Sequence, residues 1–236
     1  MLPHMEKRLV TLELSKMLPN IESGLANSGF LFGAGTSVEA GYPVMAGLTR
    51  SVVGALDSAA RGDLDEVLGA TSLAYDDAEA NPNIEVIADL VMQHAITSGD
   101  LRFTKLEERL RQLVTEAILS VSNPNLDHHV RFLELLKKRG FGRATNVYIF
   151  TMNYDVLFEL AGALAGVVVE TGFVGSVERF FDQQRFATAS GALQPANRFL
   201  EHPVLTVRLI KLHGSVSWTT RNGVVIEQHP ASITSS

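Results

Sequence analysis

The chain has 236 residues, 46% of them hydrophobic, with no cysteine and a formal net charge of −6. That length suits one large α/β domain or one domain with a helical insertion, the missing cysteines exclude disulfides and thiolate zinc sites, and the acidic balance excludes a generally basic nucleic-acid surface. The N-terminal "MLPHMEKRLVTLELSKMLPNIESGL" scatters charges among its apolar positions, and the longest apolar run, "GALAGVVV", falls well short of the roughly 20 residues that cross a bilayer, so a cytoplasmic protein without membrane contact is expected.

Residues 5 to 28 place Leu9, Leu12, Leu14, Met17, Leu18, Ile21 and Leu25 broadly on one side, which predicts an amphipathic helix. "FLFGAGTSVEAGYP", residues 30 to 43, follows. Its apolar run stops in Gly33-Ala34-Gly35-Thr36-Ser37, the pattern of a buried strand feeding a tight turn and then a helix. Glycine lets a backbone approach a ligand closely, and a helix's first turn offers unpaired N–H groups to a phosphate. The third glycine of the dinucleotide fingerprint is replaced by Val38, and no acid-ended second strand follows about 20 residues on. No Gly-Lys-Ser/Thr follows the turn, so neither an ordinary dehydrogenase nor a Walker loop is expected. By itself the stretch reads equally well as a plain strand–turn–helix connection.

A second helix is expected from Pro43 to about Ala60, then a loop or weak helical excursion in "RGDLDEVLGATSLAYDDAEANPN". "NIEVIADLVMQHAI", "RFTKLEERLRQLVTEAIL" and "NLDHHVRFLELLKKRG" predict three further helices, giving a helical insertion over about residues 62–140. "NVYIFTMNYDVLFELAG" repeats the opening logic, with a strand from Val147 to Phe150, a polar turn from Thr151 to Asp155 and a helix to about Leu164. "GVVVETGFVG" reads as the next strand and loop. After a polar segment with Phe180, Phe181 and Phe186, "LTVRLIKLHGSVSW" supplies a strand ending at His213 and "NGVVIEQ" a short last one. The expected fold class is therefore α/β, a Rossmann-like, mostly parallel sheet flanked by helices, with a helical insertion or small subdomain lacking zinc. Ligands bind outside the carboxyl ends of such strands, so the tips GAGTS, TMNYD and LHGS are expected to converge on one crevice.

Each of these residues has a plainer role available. Asn153 can cap the helix that follows it, Asp155 can complement that helix's dipole, and His213 can be a turn histidine bonded to backbone. Asp155 and Glu159 lie four apart, a spacing typical of surface electrostatics. His128 and His129 diverge on a helix, make poor metal co-ligands and read as a surface helix start. "LEERLRQL" reads as a solvated helix face or an oligomer contact, and no Gly-x-Ser-x-Gly elbow occurs.

Taken in order, Gly33-Ala34-Gly35-Thr36-Ser37 with Gly41-Tyr42-Pro43, then Thr151-Met152-Asn153-Tyr154-Asp155, then Lys211-Leu212-His213-Gly214-Ser215 resemble the signatures of the sirtuin-like superfamily over roughly residues 25 to 220. Tyr154, the "ETGFVG" loop and Trp218 resemble its prokaryotic NAD-hydrolysing branch, often found in antiphage defence, more than the protein deacetylases. The resemblance implies that Gly33, Ala34, Gly35, Thr36 and Ser37 hold the phosphates of NAD, with Pro43, Thr151, Gly214 and Ser215 completing the binding site. It further implies that Asn153 orients the ribose, that Asp155 lies near the nicotinamide carboxamide, and that His213 is the acid/base residue. Asparagine donates to and accepts from ribose hydroxyls, and histidine exchanges a proton near neutral pH.

The zinc-binding cysteines of deacetylating sirtuins are missing, and Pro43-Val44-Met45 stands where those enzymes carry an Asp-Phe-Arg element. The expected activity is hydrolysis of NAD, as substrate, to nicotinamide and ADP-ribose with no metal, in an antiphage effector that depletes NAD. The resemblance implies a homo-oligomer or an activating partner such as a translocase-type ATPase, a nuclease-like or an Argonaute-like protein. NAD-dependent deacylation and non-catalytic sensing of NAD or ADP-ribose are the alternatives. It also implies a further strand and a glycine/serine loop beyond "EQHPASITSS", so the chain is expected to be the N-terminal part of a longer protein.

Overall fold

The computed structural model of the chain describes residues 29–140, 144–176, 178–195 and 198–228; the helix expected over residues 5 to 28 lies outside them. The three polar-tipped apolar runs become parallel strands β1 (Gly29–Phe32), β2 (Thr145–Thr151) and β8 (Leu205–Lys211), joined by the short β3 (Val168–Glu170) in a four-stranded parallel sheet of order β1-β2-β8-β3. β8 is central and buried at every residue except the half-buried Thr206 and Ile210, so that even Arg208 and Lys211 are buried. β2 instead alternates buried and half-buried residues. β8 ends at Lys211, two residues short of the expected His213, so the histidine stands in the loop beyond the ladder.

Helices α1 (Met45–Gly54), α2 (Ser58–Ala70), α3 (Ile84–Ser98), α4 (Leu101–Leu119) and α5 (Asp127–Arg139) all lie between β1 and β2 in the chain. The single helix expected from Pro43 to Ala60 is two. Asp57, extended at φ −70 and ψ 172, accepts a hydrogen bond from Ala60 N at 2.8 Å and starts α2 afresh. The segment read as a loop or weak helical excursion is helical as far as Ala70, because Leu64, Val67 and Leu68 recur at helical spacing on one buried face. Asn83 and Asp100 cap α3 and α4 in the same way as Asp57.

Packing divides these helices differently from the chain order. Val52, Leu64, Leu68, Ile87, Val91, Phe103 and Leu110 from α1 to α4 form one apolar core. Leu133 and Leu136 of α5 join a second, with Val147 and Ile149 of β2, Val207 and Leu209 of β8, and Phe158 and Ala161 of helix α6 (Leu157–Ala165). α5 therefore covers the sheet beside α6, while α1 belongs with the helical part. Past β3 the chain forms a second, antiparallel sheet of β4 (Phe173–Val174), β5 (Arg179–Phe181), β10 (Val224–Glu227) and β9 (Trp218–Arg221), and a separate hairpin of β6 (Gly191–Gln194) and β7 (Arg198–Glu201). Aromatic rings organise the antiparallel sheet: Phe173 lies 5.5 Å from Phe181 and 5.2 Å from Trp218 between ring centroids. No described helix is long and apolar enough to cross a membrane.

α6 sits close on β3 because residue 162 has no side chain. A methyl group there would run into the Val169 side chain and lie 3.1 Å from the Val167 carbonyl oxygen. Alanine is the better helix former by about 1 kcal/mol, but crowding a packed core costs about 1–3 kcal/mol. Gly162→Ala is therefore expected to lower the urea unfolding midpoint; an unchanged or raised midpoint would show that Val169 moves aside freely.

Candidate active site

Phe32, Thr151 and Lys211 pair across neighbouring strands in one row, so β1, β2 and β8 stop at the same level. The row closes with two more bonds, Met152 N to Phe32 O at 3.1 Å and Leu212 N to Thr151 O at 2.8 Å. Beyond it the backbone has no ladder to continue, and the three polar tips bond to one another.

Asn153 is the centre of these contacts. Its amide nitrogen lies 3.1 Å from Gly33 O, 3.2 Å from Thr36 Oγ1 and 2.8 Å from Ser37 Oγ. Ser37 in turn donates to Asp155 Oδ2 at 2.6 Å, and Asp155 Oδ1 accepts from Leu157 N at 3.1 Å. Helix α6 begins with no side-chain bond from its own cap residue, Val156. The Asp155 carboxylate thus meets the helix start and joins it to the glycine turn, while Asn153 caps nothing. On the other flank Val216 N donates to Tyr154 O at 3.0 Å and Ser215 Oγ to the same oxygen at 3.4 Å, tying the His213 loop to the Asn153 loop.

Underneath, Lys211 is almost wholly buried. Its ammonium donates to the Asp155 carbonyl and lies 3.0 Å from Glu159 Oε1, an ion pair without hydrogen-bond alignment. Asp155 and Glu159 are therefore not surface decoration. Both help fix the loop that carries Asn153.

The glycine turn departs from expectation. Gly33 is extended (φ −129) and neither Gly33 nor Gly35 has a positive φ. The turn leads into a four-residue 3-10 helix, Ala34–Ser37, not into a long helix whose dipole would face a phosphate. Gly35 is nonetheless open, since a Cβ placed there would meet nothing within 4 Å.

Two adjoining cavities lie between the strand tips and the helical part. The smaller, about 170 Å³, is lined by Ala34, Ser37, Tyr42, Pro43, Met152, Asn153 and Asp155. The larger, about 580 Å³, is lined by His213, Gly214, Ser215 and Trp218 with Asp89, Glu107 and Arg111. Leu48, Glu85 and Tyr154 border both. The expected site residues therefore divide. Gly35 and Thr36 open on a different pocket beside His128, His129 and Phe132, and Thr151 is buried, its hydroxyl accepting from Asn153 N at 3.0 Å. Gly33 contributes its carbonyl as the acceptor for Asn153.

Several groups at the cleft carry no sequence signal of their own. Glu85 follows the Asn83 cap and looks like ordinary first-turn chemistry, yet its Oε1 lies 3.5 Å from His213 Nδ1. Burial, then the Asp155 carboxylate, pushes the Tyr42 hydroxyl up to about 12, so it stays a donor. Burial, then Glu85 and Asp89, raises Tyr154. Glu107 and Arg111, read as part of a solvated face, line the larger cavity. A carboxylate-rimmed small cavity with tyrosine and methionine walls suits a flat cationic ring. Its 170 Å³ is below the roughly 300–1,000 Å³ of pockets that hold whole drug-sized ligands. Among the described residues no group of three or more His, Asp or Glu is placed to hold a metal ion. No protein-family model matches the chain, nor does any curated protein.

His129 is buried against Phe158, at 4.9 Å between rings, and not on the surface as its place at a helix start suggests. Its Nδ1 is buried without a hydrogen-bond partner. Burial and then His128 hold its pKa below the ordinary histidine value, against the opposite pull of Asp155. The unfolded chain takes up this proton below about pH 6.5, where the folded chain still refuses it. Stability is thus expected to fall as pH drops from about 6.5 towards the depressed folded value. In urea titrations from pH 7 to 5, His129→Leu should flatten that slope; an identical slope in both proteins would assign the acid sensitivity elsewhere.

Proposed function

We propose that the cleft binds NAD as substrate and hydrolyses its nicotinamide–ribose bond, releasing nicotinamide and ADP-ribose. The observation that carries this reading is the alignment of three parallel strand ends, with Asn153 bonded to the glycine turn and His213 opening on the adjoining cavity. In this reading the nicotinamide ring enters the smaller cavity, where the Asp155 and Glu85 carboxylates face its cationic nitrogen. The C1′–N1 bond breaks with its electron pair going to the ring nitrogen, which becomes neutral. Positive charge passes to the ribose as an oxocarbenium-like centre. A water oxygen bonds to C1′ and its proton goes to His213, whose imidazolium Glu85 then stabilises at 3.5 Å. The Asn153 carbonyl oxygen accepts from a ribose hydroxyl, since its amide nitrogen is already engaged by the turn.

The ADP-ribose portion extends from the smaller cavity into the larger one, past the Glu85 and Tyr154 that border both. Among the described residues the two adjoining cavities present no lysine, and Arg111 is the one arginine lining them. Phosphate binding in this reading rests on backbone N–H groups and Arg111. Depletion of NAD in antiphage defence, with a homo-oligomer or an activating partner as trigger, is the biological role the motifs suggest. A second reading, sensing of NAD or ADP-ribose without turnover, draws on the engagement of the Asn153 amide within the protein.

The decisive measurement is nicotinamide release from NAD by the full-length protein, alone and with an added partner, beside His213→Ala and Asn153→Ala. Loss of an acid/base group is expected to cost about 100-fold or more in rate, so His213→Ala should abolish detectable release with unchanged circular dichroism. Asn153→Ala should lower both release and thermal stability because it also ties the tips together. NAD binding with no release under any condition would overturn hydrolysis and leave sensing.

A further inference from the structure

The opposite end of the parallel sheet holds a second polar cavity, of about 340 Å³. It opens where the strands begin, beside Thr145 and Asn146 of β2, Val168 of β3 and Thr206 of β8, so the length of the strands separates it from the cleft. Its size falls within the roughly 300–1,000 Å³ range of small-molecule sites.

Arg208 lies in its wall, in the central strand, and is only 4% exposed. Its guanidinium reaches two backbone carbonyls, Nη1 to Arg185 O at 3.4 Å and Nη2 to Thr188 O at 3.0 Å, and its plane lies 5.9 Å from the Tyr148 ring centroid. Its Nε is buried and has no hydrogen-bond partner. Among the described residues it makes no ion pair. The carboxylate best placed to serve it is Glu170, its register partner on β3, but that group is committed elsewhere. Glu170 Oε2 pairs with Arg185 at 2.9 Å and Oε1 accepts from Gly172 N at 3.3 Å. Glu201, the other carboxylate lining the cavity, is exposed and pairs with neither arginine.

A buried guanidinium whose charge meets only carbonyl dipoles costs free energy unless an anion completes it. Lys211, three residues along the same strand, has its buried counter-ion in Glu159. Arg208 has none. Around it the cavity offers the hydroxyls of Ser190 and Thr206 and the amide of Asn146, groups suited to hydroxyls on a ligand, with the Thr188 hydroxyl already donating to Arg185 O at 2.9 Å. We propose that this cavity is a second binding site, for a small hydroxylated anion of the sugar phosphate or sugar acid class, with Arg208 holding the anionic group. The site is independent of the chemistry assigned to the cleft.

Calorimetric titration and thermal unfolding of the full-length protein, at constant ionic strength, test this with ribose 5-phosphate, gluconate and neutral ribose as probes. Saturable binding of one or both anions, a raised Tm with the same ligand and no effect of ribose are expected. Binding of only one anion identifies phosphate or carboxylate as the recognised group. Arg208→Lys, which keeps charge but loses the planar fork, is expected to weaken binding at least tenfold. Thr206→Val, a near-isosteric change suited to a strand, should weaken it several-fold and remains informative if the Arg208 variants do not fold. Two results overturn the proposal: no saturable binding of either anion to the wild-type protein, which leaves Arg208 a latch on the Arg185 and Thr188 carbonyls, or binding that Thr206→Val and Arg208→Lys leave unchanged.

Discussion

Three neighbouring parallel strands that end at the same level are the constraint on which the cleft depends. A strand that stops leaves backbone and side-chain polar groups facing outward with no ladder to satisfy them. Here each tip supplies what the next one lacks. Gly33 offers a carbonyl to the Asn153 amide, Ser37 offers a hydroxyl to Asp155, and Tyr154 offers a carbonyl to Val216 and Ser215. The result holds Asn153 on one cavity and His213 on its neighbour, with Tyr154 and Glu85 between them.

Electrostatics beneath and around the tips follows from burial. Lys211 enters the core with Glu159 as counter-ion and gives its remaining donor capacity to the Asp155 carbonyl, so the charge is neutralised and the loop is held. The cleft rim is acidic, with Glu85, Asp89 and Glu107 against Arg111 and His213. That balance favours a cationic ring near the tips more readily than it favours phosphates. The helical part contributes much of this rim. It packs its own core from α1 to α4, so its polar residues facing the sheet carry no structural duty in that core.

Much of the frame was legible in the sequence because short runs rich in apolar and aromatic residues that stop in small polar ones mark strand ends, although β1, expected to be buried, has only half-buried and exposed residues at the sheet edge. β1, β2 and β8 announce themselves in this way, and the convergence of their tips follows from the rule that open parallel sheets bind ligands at their carboxyl ends. Local chemistry was less legible. Asp57, one acid among several in a turn-rich stretch, restarts a helix that hydrophobic spacing alone did not separate from its predecessor. The Gly33 to Ser37 turn looks like a phosphate loop, yet Thr36 and Asn153 close it into a short 3-10 turn. His129 reads as surface because position in a helix gives no rotation about the helix axis until α5 finds the sheet.

What the sequence determined by itself is the α/β class and the three polar strand ends, since each depends on patterns within a few residues; the antiparallel strands β4, β5 and β9 and the β6–β7 hairpin lie in stretches that read as loop or polar segment. What only the tertiary structure decided is which charges meet. Glu85 reaches His213 across 128 positions of sequence because the start of α3 and the loop after β8 line the same cavity. Arg208 and Lys211 sit three residues apart in one strand, and neither composition nor spacing distinguishes them. One finds a buried carboxylate and the other only carbonyls, because the partner of a buried charge is chosen by packing between distant elements and not by its neighbours in the chain.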